Sequence, residues 1–317
     1  MSEALIRPET LAYLDAVAAQ GRPPMNDQTV AMIRQLPPEV IDGMLQTFEL
    51  PVGELAEIRD VVMPGPGGEI ALKLFDARAQ RGASPVVVFY HGGGFAIGSI
   101  GTHAPLAAEI ARQLDLPVIS VEYRLAPEHK WPAAPDDAEA AARWIAENGA
   151  SFGREFTGLM LCGDSAGGAL TLITALALRD RQAALPVMLQ LAIYPVTDRS
   201  VPYPSASDYG DGFGLNSAEI SYFDEVYASD KDHWRASPLL AELSGLPPLL
   251  LATAGLDPLR DEGRAFAAKA ALAGVDTIYR EYGGTIHGCF TYRRAMPSAQ
   301  SDLVGLLGLA RQLLGAN

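Results

Sequence analysis

A serine between glycines offers the clearest chemistry in the sequence. It is Ser165, at the centre of Gly163-Asp164-Ser165-Ala166-Gly167, a Gly-x-Ser-x-Gly pentapeptide. An apolar run at 158–162 precedes it, and a helix-compatible run at 169–179 follows. A serine at the apex of such a strand–turn–helix can act as a nucleophile, and the glycines let the tight turn form without collisions. Alone, the pentapeptide fits a glycine-rich turn without chemistry equally well.

A second glycine-rich stretch, His91-Gly92-Gly93-Gly94, follows a continuous apolar run at 85–90. Backbone N–H groups in such a loop can stabilise the negative oxygen that forms when an acyl carbonyl is attacked, and losing one donor costs roughly 3–4 kcal/mol. The predicted donors of this oxyanion hole are the N–H groups of Gly93, Gly94 and Ala166. A phosphate loop is disfavoured because no Gly-Lys-Ser/Thr follows, and the histidine is predicted to hold the loop.

A histidine and an acid are needed to activate such a serine, and both are expected to follow it in the chain. His287 is the predicted base, because it lies well beyond the serine, at a strand-to-helix junction near the C-terminus. Of the other four histidines, three precede the serine and one lies in a loop-rich region. Asp257 directly follows an apolar stretch and is the predicted acid. Asp261, one helical turn later, and Asp198 are the weaker alternatives.

Composition and charge narrow the class of protein. The 317 residues, 49% of them hydrophobic, suit one large domain or two small ones with a large core. A formal net charge of −14 disfavours binding to nucleic acid or to an anionic membrane surface. Two cysteines, no leader-like N-terminus and no long uncharged apolar run predict a cytoplasmic protein without disulfides or membrane insertion. Scattered histidines predict no metal, and serine chemistry needs no organic cofactor.

Apolar strands and helices alternate along most of the chain, which predicts an α/β fold with a mainly parallel sheet covered on both faces. Strands are predicted at 58–62, 70–75, 85–90, 117–123, 158–162, 186–194, 248–253 and 276–282. Helices are predicted at 8–20, 27–34, 102–114, 132–148, 169–179, 217–228, 258–273 and 298–314. Residues 198–235, rich in Pro, Gly, Ser, Asp and aromatics, interrupt the alternation and are predicted to lie over the C-terminal edge of the sheet.

These motifs together resemble the bacterial hormone-sensitive-lipase-like esterases, an α/β-hydrolase family. The matching blocks are HGGGF at 91–95, EYRLAPEH at 122–129, GDSAGG at 163–168, DPLRDEG at 257–263 and IHGCF at 286–290. The resemblance covers nearly the whole chain and also selects Asp257 as the acid. The family usually has His-Gly-Phe around the histidine; here Cys289 stands between Gly288 and Phe290, which affects the local pocket rather than the triad.

The resemblance implies an α/β-hydrolase fold with an eight-stranded sheet and a helical cap. The expected organisation is N-terminal cap helices at 1–50, a core at 51–197 and 236–317, and a cap insertion at 198–235. Phe95 and Ile97, which follow the oxyanion loop, are predicted to line the acyl side of the substrate pocket. Phe213 is predicted to face the ligand from the insertion. A homodimer is implied by the resemblance alone.

The expected function is hydrolysis of uncharged esters with short-to-medium acyl groups. Ser165 would attack the acyl carbonyl, His287 would take its proton, and Asp257 would hold the imidazole, giving an acyl-enzyme that water then releases. One alternative is a ligand-binding protein, because related plant hormone receptors resemble this fold. A lyase, an amidase or a lactonase is the other, since fold and triad do not decide the substrate.

Overall fold

The computed structural model describes residues 5–21 and 23–315, and a sheet of eight strands lies at its centre. The strands are β1 (Glu57–Gly65), β2 (Gly68–Asp76), β3 (Ser84–Tyr90), β4 (Val118–Val121), β5 (Phe156–Asp164), β6 (Val187–Ile193), β7 (Leu249–Leu256) and β8 (Thr277–Ile286). Across the sheet their order is β1-β2-β4-β3-β5-β6-β7-β8. β2 pairs antiparallel with β1 and β4, and the other pairs are parallel. The predicted eight-stranded, mainly parallel sheet is confirmed.

Helices cover both faces of this sheet. They are α1 (Pro8–Gln20), α2 (Asp27–Arg34), α3 (Pro38–Phe48), α4 (Ile100–Leu114), α5 (Ala133–Glu147), α6 (Ala166–Asp180), α7 (Pro204–Asp208), α8 (Ser217–Tyr227), α9 (Arg260–Leu272) and α10 (Pro297–Leu313). α4 and α10 pack on one face, and α5, α6 and α9 on the other. The central strand β3 shows why its run is continuously apolar: Val86 and Val88 are buried on one face, and Val87 and Phe89 on the opposite face.

The carboxyl ends of the parallel strands meet at one edge, where ligands bind in open α/β sheets. Three of the residues singled out for chemistry come directly after a strand end. Ser165 follows β5, Asp257 follows β7, and His287 follows β8. The oxyanion loop begins at His91, immediately after β3. Four segments that are distant in the sequence are therefore brought to the same edge by the topology.

Two helices were not predicted, and both begin at a proline. α3 starts at Pro38 and α7 at Pro204. Proline is tolerated in the first turn of a helix, where its missing N–H would have no intrahelical partner, so these prolines mark helix starts rather than breaks. α6 also begins three residues earlier than predicted, at Ala166, because its glycines belong to the first turn of the helix.

Five helices lie outside the alternating core. α1, α2 and α3 precede the first strand, while α7 and α8 lie in the segment between β6 and β7. Residues 1–4 and 22 belong to the predicted N-terminal cap segment at 1–50, and residues 316–317 end the predicted core segment at 236–317. These residues lie outside the described part of the chain. In the described part of the chain, no helix combines the length and the apolar character needed to cross a membrane.

Candidate active site

The turn between β5 and α6 holds Ser165 in a strained backbone conformation. Its φ is +55° and its ψ is −119°, a combination that a non-glycine residue adopts at a cost and that is concentrated at functional sites. The Ser165 N–H donates to Ile193 O at 2.8 Å, and the Ser165 carbonyl accepts from Ala169 N. A Cβ on Gly167 would lie 1.9 Å from Tyr90 O, so only glycine allows α6 to start this close to β3.

A continuous hydrogen-bonded chain links serine, histidine and aspartate. Ser165 Oγ lies 2.8 Å from Nε2 of His287, and Nδ1 of the same ring lies 2.8 Å from Oδ2 of Asp257. Asp257 is fully buried, and its Oδ1 accepts a hydrogen bond from Leu259 N at 2.8 Å. The carboxylate is therefore fixed by the start of the next helix and holds the imidazole in one orientation.

The electrostatics of His287 favour its charged form. Burial of the ring works to lower its pKa, but the charge and the hydrogen bond of Asp257 outweigh burial. The charges of Asp164 and Glu219 act in the same direction, so the net effect raises the pKa of His287 above its ordinary value. A base whose pKa is raised in this way is suited to accept a proton from a hydroxyl and return it to a leaving group.

The two alternative acids are engaged elsewhere. Asp261 pairs with Arg260 and Arg264 and accepts a hydrogen bond from Ser205 N. Asp198 accepts hydrogen bonds from the backbone and hydroxyl of Ser200 and from the Tyr203 hydroxyl. Of the three predicted acids, the one whose carboxylate contacts the imidazole is Asp257.

The glycine loop after β3 turns sharply toward the serine. Gly93 has a φ of +122°, and a Cβ there would lie 2.2 Å from Ile97 O, so the turn requires glycine. Its carbonyl accepts from Ala96 N and Ile97 N. The N–H groups of Gly93 and Gly94 have no acceptor among the described residues. Ala166 is the first residue of α6, so its N–H also has no acceptor within the helix. These three donors are available to a negative oxygen.

His91, the first residue of this loop, is fixed by contacts with the protein core. Its ring is fully buried and stacks on Tyr123, with 4.3 Å between the ring centroids. The Tyr123 hydroxyl donates to His91 O at 2.6 Å. Burial, with a smaller contribution from the neighbouring His103, lowers the pKa of His91 to about 3, so the ring is neutral at physiological pH.

Two cavities, each of about 460 Å³, meet at the serine. The first is lined by His287, Ile97 and residues of the N-terminal helices. The second lies between α8, the start of α9 and the segment after β6. The residues that line both cavities are Gly94, Ser165, Leu215 and Phe223.

The structure corrects two of the three predicted pocket residues. Ile97 lines the first cavity, but neither cavity is lined by Phe95 or Phe213. Phe95 has a φ of +61°, which turns its buried ring onto Tyr227, 4.1 Å away between centroids. Phe213 packs edge-to-face on Tyr209 instead. Sequence analysis missed lining residues in the N-terminal helices: Tyr13, Leu14, Ile33 and Leu45. The only signal for them was the helical pattern before the first strand.

Metal ligands do not cluster in the parts of the chain that the structure describes. Within residues 5–21 and 23–315, no three His, Cys, Asp or Glu side chains come together as a metal ion would require.

Comparison with known proteins identifies the family. A family model described as the alpha/beta hydrolase fold matches residues 87–291. The carboxylic ester hydrolase LipN of Mycobacterium tuberculosis is 41% identical over 73% of this chain, which spans 64% of the length of that protein. Esterase LipI of the same organism is 36% identical over 84% of this chain and 85% of its own.

Solved structures agree with this assignment. An ester hydrolase from the metagenome of Lake Arreo superposes with a TM-score of 0.87 at 37% identity, covering 98% of this chain and all of the other. An esterase of Pyrobaculum calidifontis gives a TM-score of 0.86 at 33% identity, covering 96% of this chain and 97% of its own. The chain therefore belongs to the α/β-hydrolase family, in its bacterial hormone-sensitive-lipase-like group.

Proposed function

We propose that this protein is a serine esterase that hydrolyses carboxylic esters with short-to-medium acyl groups through an acyl-enzyme. The observation that carries the proposal is the chain from Ser165 Oγ through both nitrogens of His287 to the buried Asp257, with 2.8 Å at each step. The esterases to which the chain is similar support the same reaction class.

The mechanism follows from the roles of these groups. His287 Nε2 takes the Ser165 proton as Oγ attacks the acyl carbonyl, and the carbonyl oxygen becomes an oxyanion. We assign the N–H groups of Gly93, Gly94 and Ala166 to that oxygen. His287 then gives the proton to the departing alcohol oxygen. A water molecule, deprotonated by the same nitrogen, hydrolyses the acyl-enzyme and releases the acid.

The position of the base assigns the two cavities to the two parts of the ester. His287 lines the first cavity but not the second. Because Nε2 must protonate the leaving oxygen, we place the alcohol group in the first cavity and the acyl chain in the second. This proposal puts Ile97 on the alcohol side, whereas the sequence predicted it on the acyl side. The second cavity has apolar walls formed by Val196, Val201, Pro202, Ala206, Ile220, Pro258 and Leu259. Charged residues also line it, and they are engaged with protein groups: Arg199 and Lys231 pair with Asp224, Glu262 accepts from Thr197 N, and Asp198 accepts from Ser200 and Tyr203. An uncharged acyl chain of limited length suits such a space.

A series of nitrophenyl esters tests this proposal. We expect turnover to be highest for short-to-medium acyl chains and to fall as the chain outgrows the second cavity. Ile220→Ala should move the optimum toward longer acyl chains, because it widens that cavity. Ile33→Ala is the matched control: it widens the first cavity and should leave the acyl preference unchanged. No turnover of any ester, or highest rates with the longest chains, would contradict the proposal.

The pH dependence of kcat/KM provides a second test. His287 must be neutral to accept the serine proton, so activity is present above its pKa and lost as pH falls through it. Asp257 raises this pKa, so we expect the midpoint of the acid limb to lie above the ordinary imidazole value of about 6.5. A midpoint clearly below that value would argue against a base held by a buried carboxylate.

Organisation and location complete the proposal. The segments 1–50 and 198–235 act as the cap, in keeping with α1 to α3 in the first and α7 and α8 in the second. A reducing compartment, the cytoplasm, suits the two cysteines, which are both buried and unpaired. The homodimer remains a proposal supported by the family resemblance.

A further inference from the structure

Asp164, the residue before the nucleophile, has no part in the mechanism above. Its carboxylate is nevertheless buried, at 3% exposure, and lies against the oxyanion loop. Asp164 Oδ1 accepts a hydrogen bond from Gly92 N at 2.9 Å. A Cβ on Gly92 would lie 2.7 Å from Oδ2, so the loop backbone rests directly on the carboxylate. Burying a carboxylate costs free energy unless it is well paired, so the partners of the Asp164 carboxylate indicate what it does.

His103 meets the same two groups from α4. Its Nε2 lies 3.4 Å from Asp164 Oδ1 and 3.3 Å from Gly92 N. Its Nδ1 lies 2.9 Å from the Thr102 hydroxyl, which belongs to the capping box at the start of that helix. The ring is therefore held from both sides. His103 also lines the first cavity beside Ser165.

The hydrogen bonds within the loop close its turn but do not attach it to the nucleophile, because Ala96 N and Ile97 N both donate to Gly93 O. Gly93 and Gly94 both have positive φ values, which glycine adopts with little steric restriction. The position of their N–H groups relative to Ser165 therefore depends on contacts at the two ends of the loop. At the far end, Phe95 O accepts from Ala126 N at 2.8 Å. At the near end, the contact to the nucleophile side of the site is the bond from Gly92 to Asp164.

We propose that Asp164 and His103 form a positioning pair that sets the distance between the oxyanion donors and the nucleophile. Asp164 is covalently next to Ser165, so its bond to Gly92 connects the oxyanion loop to the turn that carries the nucleophile. Nε2 of His103 accepts from the same Gly92 N–H at 3.3 Å, so this donor is held between the ring and the carboxylate. Neither residue touches the reacting atoms. This inference rests on the proposed esterase function and explains how the oxyanion donors are kept at a fixed distance from Ser165.

The test compares Asp164→Ala with Asp164→Asn. The alanine variant loses the acceptor for Gly92 N, so we expect kcat to fall 10- to 100-fold with KM changed less than about threefold, since misplaced donors act in the transition state. Affinity for a trifluoromethyl ketone, which forms a tetrahedral adduct on the serine, should fall by a similar factor. The asparagine variant keeps Oδ1 as an acceptor and should recover most of kcat.

The pH profile separates the hydrogen bond from the charge. Asp257, Asp164 and Glu219 together raise the pKa of His287 against the effect of burial. Both Asp164 variants remove one of these charges, so both should move the acid limb of kcat/KM to lower pH. In the pH range where activity no longer changes with pH, only the alanine variant should have a lower kcat than the parent. A general loss of packing would instead lower thermal stability and raise KM in both variants.

The second residue of the pair is tested in the same way. His103→Ala removes this acceptor and should lower kcat about 3- to 10-fold and weaken binding of the trifluoromethyl ketone. His129→Ala, at an exposed histidine, is the control and should change neither. Unchanged kcat and inhibitor affinity in Asp164→Ala, together with inactive Ser165→Ala, would overturn the positioning pair and leave the esterase proposal standing. Full activity in Ser165→Ala would overturn both.

Discussion

Replacement of Ser165 by alanine should lower ester turnover about a million-fold and leave the protein folded. The hydroxyl is the only group of this side chain that bonds to His287, so its removal takes away the nucleophile. The residual rate above the uncatalysed reaction would come from the oxyanion donors and from substrate binding. The backbone at this position is strained in the parent as well, and alanine, with a Cβ like that of serine, adds no new collision.

Three measurements check this expectation. Turnover of a short-chain nitrophenyl ester should disappear in the variant, while its thermal unfolding midpoint stays close to that of the parent. An organophosphate should label the parent once per chain, at Ser165, and should not label the variant. Ser151→Ala, at an exposed serine, is the control and should behave like the parent in all three measurements. Normal turnover in Ser165→Ala would remove the basis of the proposed mechanism.

The same experiment separates an enzyme from a binding protein. A receptor built on this fold would bind its ligand without releasing an acid and an alcohol. It would also have no need of a hydroxyl, an imidazole and a buried carboxylate connected at 2.8 Å. Covalent labelling reports on nucleophilicity directly, whatever the natural ester is.

The chemical core of the site was predictable from sequence because its residues stand at fixed points of the fold. Ser165 and Asp257 each come directly after a buried strand, which is easily identified as a continuous apolar run. His287 follows the half-buried edge strand β8 and was identified by its place in the chain order instead. The topology then brings these strand ends to one edge. The glycine loop after β3 was predictable for the same reason. What remained ambiguous was the acid, since Asp261 lies only four residues after Asp257.

The substrate pocket was predicted less well because its walls come from the cap. Which face of α1, α2 or α3 meets the serine depends on how these helices dock, and local periodicity does not encode docking. Phe95 shows a second limit. Its place next to the oxyanion loop suggested a pocket residue, but its left-handed backbone directs the ring to Tyr227. Sequence spacing does not reveal one positive φ at a non-glycine residue.

Asp257→Asn should lower kcat about 10,000-fold, with a smaller effect on KM. The asparagine keeps the shape of the side chain, and its oxygen can still accept from Leu259 N. It no longer presents a charge to Nδ1 of His287, so the imidazolium that forms during the reaction loses its stabilisation. Its amide can also donate to the ring and select the wrong tautomer. The fold should survive, since the contacts to the helix start are retained.

The neighbouring acids provide matched controls for this variant. Asp261→Asn breaks pairs with Arg260 and Arg264, and Asp198→Asn weakens contacts to nearby hydroxyls, so each affects stability more than chemistry. Both should keep turnover within a few-fold of the parent. If Asp261→Asn lost four orders of magnitude while Asp257→Asn stayed active, the acid would have been assigned wrongly. The pH dependence of kcat/KM provides an independent test. Because Asp257 raises the pKa of His287, the residual activity of Asp257→Asn should persist to lower pH than the activity of the parent.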